Sequence, residues 1–160
     1  MIFLTVGTQF PFDRLTKFVD DIAGQGYVKE EIFAQIGDTS YVPVNFKAVA
    51  SLRKQEYDAF FSKASAVISH AGMGTIAMAL EQNKPLLVMP RLKIHREVIS
   101  DHQVAIASKF AELGCLLVAY HEKDLLEGLR CLKNFTPRKR LSHTKDVAER
   151  ISSFLSLLQP

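Results

Sequence analysis

The chain has 160 residues, of which 48% are hydrophobic and 23% are charged, so its length and composition predict one compact globular domain. The formal net charge of +3 is too small to indicate nucleic-acid binding, although it is compatible with an anionic ligand or an acidic membrane surface. No run approaches the ~20 consecutive apolar residues that a membrane-spanning helix requires.

The amino terminus opens with the apolar run 1–6, which meets Gly7 early and lacks the basic segment of a signal peptide. We therefore expect a cytoplasmic protein. The two cysteines, Cys115 and Cys131, are expected to be reduced and buried, in keeping with that compartment. Histidines and cysteines do not cluster with the spacing of a metal site, so no metal ligand is predicted.

Short apolar runs alternate with segments of helical periodicity along the chain. The predicted strands cover residues 2–6, 32–36, 44–49, 66–69, 85–90 and 115–119. The predicted helices run from 13 to the glycine at 24, and then cover 54–63, 75–82, 101–113, 122–132 and 146–158. This alternation predicts an α/β fold with a mostly parallel sheet and helices on both of its faces.

The carboxyl-terminal segment is expected to differ in role from the rest. Residues 1–140 are predicted to form the domain, and residues 141–160 to carry an amphipathic helix that docks either on the domain or on a partner. The basic triplet at 138–140 is short and has no aromatic neighbours, so we interpret it as a solvated linker rather than a nucleic-acid patch. Contact with anionic lipid headgroups is the alternative.

The most informative stretch is 66–80, which reads as a buried strand, a turn with two glycines and a helix. Gly72 and Gly74 would let a phosphate approach the backbone, and the first amides of the helix would point at it. We interpret this turn as a diphosphate cradle; a tight turn without a ligand is the alternative. The stretch also matches a dinucleotide fingerprint, but it lies mid-chain, and Pro90 and Arg91 stand where that fingerprint expects an acid.

Parallel sheets bind ligands at the carboxyl ends of their strands, so the loops that follow the strands are expected to share one pocket. Those loops contain residues 7–8, 35–37, 70–75 and 91–103. In this pocket His70 either donates to a phosphate oxygen or only bonds to the backbone of its turn. Gly7 and Thr8 either meet the same diphosphate from the other side or form an ordinary turn.

The loop at 91–103 is rich in charged and amide side chains. Such groups suit the hydroxyls of a sugar, since they form paired hydrogen bonds. The alternative is a solvated loop in which Asp101 caps the helix that follows.

Three motifs together resemble the C-terminal, donor-binding half of family 28 glycosyltransferases. They are the stretch 70–75, the pair at 84–85 and the Asp-His-Gln triplet at 101–103. Residues 3–8 and 12–15 also fit, so the resemblance covers nearly the whole chain. It is strongest to short stand-alone members, namely the small soluble subunit of two-part GlcNAc transferases for lipid-linked oligosaccharides and the PssE-like group of bacterial exopolysaccharide synthesis. The PssE-like group is favoured by the pair Pro90-Arg91, by Glu97 and by the triplet at 101–103.

The resemblance implies a Rossmann-like fold, as in the C-terminal half of a GT-B enzyme, and a hexosyltransferase that uses a UDP-sugar and no further cofactor. A membrane-attached, PssD-like partner would supply the half that binds a lipid-linked acceptor. This chain would then lie at the inner face of the membrane through that partner. The implied substrate-binding residues are Gly7, Thr8, Gly72, Gly74 and Thr75 at the diphosphate, Gln35 near the nucleotide, and Asp101, His102 and Gln103 near the sugar. The residues themselves add His70, Arg91 and Glu97 as further candidate contacts.

Two departures from the family pattern matter. Many members hold the ribose with a Glu at the position of Met78, so Glu97 is the candidate substitute here. The acceptor-binding half is missing from the resemblance, so no catalytic base is named.

The chemistry predicts metal-independent transfer. The departing diphosphate gains negative charge, and fixed donors or a metal must stabilise it. The chain has no Asp-x-Asp pair, whereas the two glycine turns, His70 and Arg91 are available as donors. A non-catalytic UDP-sugar-binding module of the same assembly, and a stand-alone nucleotide-sugar enzyme, remain the alternatives.

Overall fold

A computed structural model describes residues 1–138 of the chain. Its centre is a six-stranded sheet in which every neighbouring pair is parallel. The strands are β1 (Ile2–Thr5), β2 (Ile32–Gln35), β3 (Lys47–Val49), β4 (Ala66–His70), β5 (Leu86–Met89) and β6 (Leu117–Val118), in the order β3-β2-β1-β4-β5-β6. This order confirms the predicted α/β, Rossmann-like fold.

The described residues form five helices, of which four connect successive strands and the last follows β6, as expected from the alternation in the sequence. They are α1 (Asp13–Gly24), α2 (Lys54–Lys63), α3 (Met73–Glu81), α4 (His102–Glu112) and α5 (Glu122–Leu132), with a short 3₁₀ turn at Lys93–His95. The helix predicted at 75–82 begins two residues earlier, inside the glycine turn. The strand predicted from 44 begins only at Lys47, because Asp20 binds the backbone amides of Val44 and Asn45.

The helices cover both faces of the sheet, because successive strand residues point in opposite directions. Leu4 of β1 packs in a core with Leu15 of α1 and Leu125 of α5. Its neighbour Phe3 packs on the other face with Phe61 of α2 and Ile76 of α3. The sheet is therefore covered on both faces. A ligand can reach it only at the two ends of its strands, where the loops lie.

The sheet order places the ligand site that the sequence predicts. From β1 the chain winds outward through β2 and β3, then returns to β4 on the other side of β1 and winds the opposite way. The loops after β1 and β4 therefore diverge and leave a crevice between them at the carboxyl edge.

One expectation needs correction, and two others concern residues outside the described part of the chain. Cys131 is exposed on α5, while Cys115 is buried, so the expected buried pair is wrong for Cys131; both thiols are free. Among the helices of residues 1–138, none is long and apolar enough to cross a bilayer. The helix predicted at 146–158 and the boundary at 140 lie outside the described residues.

Candidate functional site

A cavity of about 940 Å³ opens at the carboxyl edge of the sheet, in the crevice between the loops after β1 and β4. Three loops line it, namely β1–α1, β4–α3 and β5–α4. Ten predicted site residues lie in its wall: Gly7, Thr8, His70, Gly72, Gly74, Thr75, Arg91, Glu97, His102 and Gln103. The structure thus brings together three of the four loops that the sequence assigned to one pocket.

The β4–α3 turn presents free backbone amides to the cavity. The first helical hydrogen bond of α3 is donated by the backbone amide of Ile76 to Gly72 O, at 3.1 Å. The amides of Met73, Gly74 and Thr75 come before it and have no partner inside the helix. Gly74 leaves this end open, since a Cβ there would meet no atom within 4 Å. The turn therefore offers donors, and the positive end of a helix dipole, to an anion.

The imidazole of His70 lies between the two glycine turns. A Cβ at Gly72 would lie 2.2 Å from its Nε2, and a Cβ at Gly7 would lie 2.8 Å from its Cε1. Gly7 also has φ +79°, a conformation that favours glycine. Both glycines are therefore required by the packing of one side chain, which the spacing of the motif alone does not reveal.

His70 is neutral near neutral pH. Burial and, after it, the nearby Arg91 guanidinium lower the pKa of its imidazole, the Thr5 carbonyl acts in the opposite direction, and the net pKa is about 4. A bound anion would favour the protonated ring.

Arg91 holds the β1–α1 loop rather than projecting freely into the cavity. It is only 3% exposed, and its Nη2 donates to Val6 O at 2.8 Å and to Phe10 O at 2.5 Å. The guanidinium lies 5.1 Å from the centre of the Phe12 ring. Burial lowers the pKa of Arg91, and Glu97 partly offsets this. Within the described chain its buried Nε has no hydrogen-bond partner.

Glu97 is already engaged with protein groups. Its carboxylate accepts from Arg14 Nε at 2.8 Å and Arg14 Nη2 at 2.9 Å, and from the Leu92 amide at 2.8 Å. The side chain is 11% exposed. The carboxylate that the sequence offered as the substitute at the ribose therefore connects α1 to the β5–α4 loop in this structure.

Three amide and acid candidates support the walls of the cavity. Gln35 is outside the cavity lining; it is buried, accepts from Thr5 Oγ1 and donates to Gly7 O at 3.2 Å. Asp101 also lies outside the lining and accepts from the Lys93 amide at 2.7 Å, so it does not cap α4 through its side chain. Buried Gln103 accepts from the Arg91 amide at 3.1 Å.

His102, like Asp101, is exposed. Its Nδ1 lies 3.1 Å from Ser100 Oγ, and the ring faces the cavity.

Sequence reasoning missed two features of the cavity. Lys93 and Arg96 add positive charge to its wall. Four apolar side chains of the surrounding loops are exposed to solvent, and we call them the apolar rim: Phe10, Met73, Ile94 and Ile99. Isoleucines in an otherwise polar loop were the available signal for the rim. Within residues 1–138, His, Cys, Asp and Glu side chains form no group of three that could hold a metal.

Curated relatives share the sequence over part of their length. The UDP-N-acetylglucosamine transferase subunit ALG13 of Saccharomyces cerevisiae is 45% identical over 65 residues, which is 40% of this chain and 30% of the yeast protein. The Homo sapiens protein of the same name is 32% identical over 126 residues, which is 72% of this chain and 10% of the human protein. The matches therefore span less than a third of these relatives.

Solved structures share the fold. The NMR solution structure of ALG13 superposes with a TM-score of 0.59 at 24% identity, covering 94% of this chain and 93% of that one. The crystal structure of Acinetobacter baumannii MurG gives a TM-score of 0.61 at 19% identity, covering 94% of this chain and 49% of that one. The sequence profile of the glycosyltransferase family 28 C-terminal domain matches residues 1–156. The chain therefore belongs to the glycosyltransferase family 28 C-terminal domain family.

Proposed function

We propose that this chain is the UDP-sugar-binding subunit of a two-part glycosyltransferase, which transfers a hexose to a lipid-linked acceptor in polysaccharide or oligosaccharide synthesis. One observation carries the proposal: the free amides at the start of α3 and the Gly7 turn face a single cavity at the switch point of the sheet. The relatives named as UDP-N-acetylglucosamine transferase subunits support the donor class.

The charge of the cavity wall suits a diphosphate. Arg91, Lys93 and Arg96 line it, and Glu97, its one carboxylate within the described chain, is neutralised by Arg14. The volume of about 940 Å³ lies at the upper end of the range for small-molecule sites, about 300–1,000 Å³, which leaves room for a nucleotide and a sugar.

The same groups account for metal-independent transfer in this proposal. As the bond between the sugar and the diphosphate breaks, negative charge grows on the departing phosphate. The α3 amides, with the field of buried Arg91, are fixed in advance where that charge develops, so little reorganisation is needed. His102 and Gln103 then face the sugar. Transfer assayed with the partner present is expected to persist in EDTA; a strict requirement for Mg²⁺ or Mn²⁺ contradicts this step.

A partner subunit is needed to complete the reaction. Transfer requires a base for the acceptor hydroxyl; the carboxylate in the described cavity wall, Glu97, is bound to Arg14, and we propose that the partner supplies the base. The apolar rim, where Ile99 is 91% exposed, gives such a partner a surface to cover. We propose that the partner is membrane-attached and PssD-like, and that it holds this cytoplasmic chain at the inner face of the membrane.

Ligand-dependent melting tests the donor class. A panel of UDP-GlcNAc, UDP-Gal, UDP-Glc, UDP-GlcA and NAD separates uridine nucleotides from dinucleotides and shows which sugar is preferred. A ligand present at 100 times its Kd stabilises the native state by about 2.7 kcal/mol. We expect the UDP compounds to raise the melting temperature and NAD to leave it unchanged. A shift with NAD alone, or with none of the panel, contradicts the proposal.

A second candidate function is a UDP-sugar-binding module without a catalytic role. It is favoured by the pairing of Glu97 with Arg14, which leaves this carboxylate unavailable as a base. The two are separated by Gly74→Ala, the variant expected to weaken diphosphate binding, assembled with the partner at a UDP-sugar concentration at which binding to this subunit is lost. Loss of transfer supports the catalytic subunit. Undiminished transfer by an assembly whose small subunit no longer binds UDP supports the regulatory module.

A further inference from the structure

The hydroxyl of Ser69, which has no role in the function proposed above, sits between two groups of the site. Ser69 is fully buried on β4, and its Oγ lies 2.7 Å from Thr5 O and 3.2 Å from His70 Nδ1. A carbonyl oxygen only accepts, so the single hydroxyl proton of Ser69 is donated to Thr5. At the second contact the Ser69 oxygen therefore accepts, and His70 Nδ1 must carry the proton.

The other ring nitrogen of His70 then has a lone pair instead of a proton. Nε2 lies between the glycine turns, since it is the ring atom nearest to a Cβ built at Gly72. Among residues 1–138, the side-chain hydrogen bond of the ring is the one from Nδ1 to Ser69. A neutral ring in this tautomer cannot donate to a phosphate oxygen at that position, because both partners would be acceptors.

The charged surroundings of the ring decide whether it can gain a second proton. Burial lowers the pKa of His70 most, and Arg91, from the segment after β5, is the charged group that lowers it further. Lys93, Arg96 and His102 also line the cavity, and the carboxylate of Glu97 is paired with Arg14. A bound diphosphate reverses this balance, since a negative charge beside the ring favours the imidazolium.

We propose that Ser69 is a positioning residue that holds His70 as the Nδ1–H tautomer, so that a nucleoside diphosphate engages the ring only when Nε2 takes up a proton from solvent. The N–H bond at Nε2 is the only covalent change; no bond of the nucleotide breaks, and the proton returns to solvent when the nucleotide leaves. The proposal rests on the proposed function, because it takes the diphosphate to bind between the glycine turns.

The proton uptake has a defined sign with pH. The free ring titrates well below neutrality and the bound ring titrates higher, so UDP affinity falls as pH rises between these two values, by up to about tenfold per pH unit. UDP itself titrates in the same range. The His70→Gln variant therefore serves as the background, because it removes the imidazole and leaves the ligand titration unchanged.

The first arm of the test reads the tautomer in the free protein. In ¹⁵N-histidine spectra of the full chain near pH 7, the signal that disappears in His70→Gln is expected to show a protonated Nδ1 and an unprotonated Nε2. In Ser69→Ala the protonated fraction at Nε2 is expected to rise, and Ser69→Thr, which keeps the hydroxyl, is expected to restore the original spectrum. A ring protonated at Nε2 in the unmodified chain, or an unchanged tautomer in Ser69→Ala, overturns the proposal.

The second arm measures protons taken up when UDP binds. Calorimetric titrations in buffers of different ionisation enthalpy are expected to show more uptake for the unmodified chain than for His70→Gln, with a difference approaching about one proton. Equal uptake by both proteins overturns the proposal while the proposed function stands. Absence of any UDP binding contradicts the proposed function and the proton coupling together, whereas the tautomer is still decided by the spectra of the free protein.

Discussion

At the scale of single residues, the two glycines of the β4–α3 turn have different tasks. A Cβ at Gly72 meets the His70 ring at 2.2 Å, whereas a Cβ at Gly74 meets open space. We expect Gly72→Ala to destabilise the fold by about 1–3 kcal/mol through overpacking. We expect Gly74→Ala to stabilise it by about 0.5–1 kcal/mol, since Gly74 lies in α3, and to weaken UDP binding because its methyl group faces the cavity. Urea unfolding and calorimetric titration measure both quantities.

The cause of the Gly72 effect can be isolated with a double variant. Removing the ring in His70→Ala makes space for the new methyl group, so the cost of Gly72→Ala is expected to shrink in that background. If the cost is the same with and without the ring, contact with His70 is not its origin.

At the scale of elements, one ion pair connects α1 to the β5–α4 loop. Arg14 and Glu97 form two hydrogen bonds, and their side chains are 15% and 11% exposed. Glu97→Ala is expected to lower the free energy of unfolding by about 1.5–3 kcal/mol and to weaken UDP binding, because the loop also carries Arg91. The paired change Arg14→Met with Glu97→Leu is expected to cost less than the sum of the single changes. Additive costs would show that the two side chains act independently.

A second connection of α1 depends on pH. Burial by itself would raise the pKa of Asp20, but hydrogen bonds from the Val44 and Asn45 amides and from Tyr41 outweigh it, so the net pKa is lowered. A lowered carboxyl pKa stabilises the fold above the unfolded value, and this stabilisation is lost as pH falls through the folded value. As pH falls, we expect the free energy of unfolding to decrease less steeply in Asp20→Asn than in the unmodified chain, because the variant has no carboxylate at this position to protonate. An identical acid transition in both proteins would contradict a stabilising role for the charge.

Tyr41 gives the matching expectation at high pH. Its hydrogen bond to Asp20 raises the pKa of the phenol to about 12, so the stabilisation is present below the ordinary value of about 10 and is lost as pH rises between the two. Ultraviolet titration of the tyrosines, compared with Tyr41→Phe, measures this directly. A phenol in position 41 that titrates at its ordinary value would contradict the assignment.

The sequence contained enough information for the elements but not for the partners of the site residues. Hydrophobic periodicity and glycine turns are local signals, so the order of strands and helices and the shared edge could be predicted. The role of Glu97 could not, because its partner Arg14 lies 83 residues away, and Gln35 bonds to Gly7 from 28 residues away. Burial and distant pairing decided which polar residues support the cavity and which ones face it.

At the scale of the whole molecule, a polar substitution in the apolar rim is expected to weaken association with the partner and to leave the fold and UDP binding intact. Ile94→Ser should leave stability within about 0.5 kcal/mol and leave UDP binding unchanged, because Ile94 is 82% exposed and lies outside the cavity lining. It should weaken association with a PssD-like subunit on co-expression and co-purification. Val44→Ser is the matched control, since Val44 is 83% exposed and lines a separate cavity near the amino end of β2. Equal association by both variants would exclude the rim as the contact surface.

The central claim is that backbone amides of two glycine turns hold the diphosphate of a uridine nucleotide. Titration of the ¹⁵N-labelled chain with UDP tests it most directly, because every backbone amide reports separately. The predicted result is a saturable shift of the amides of Gly7, Met73, Gly74 and Thr75, with none at Lys29 and Lys133 at the opposite edge of the sheet. Unshifted glycine amides at saturating UDP, or shifts centred on the opposite edge, would contradict the account.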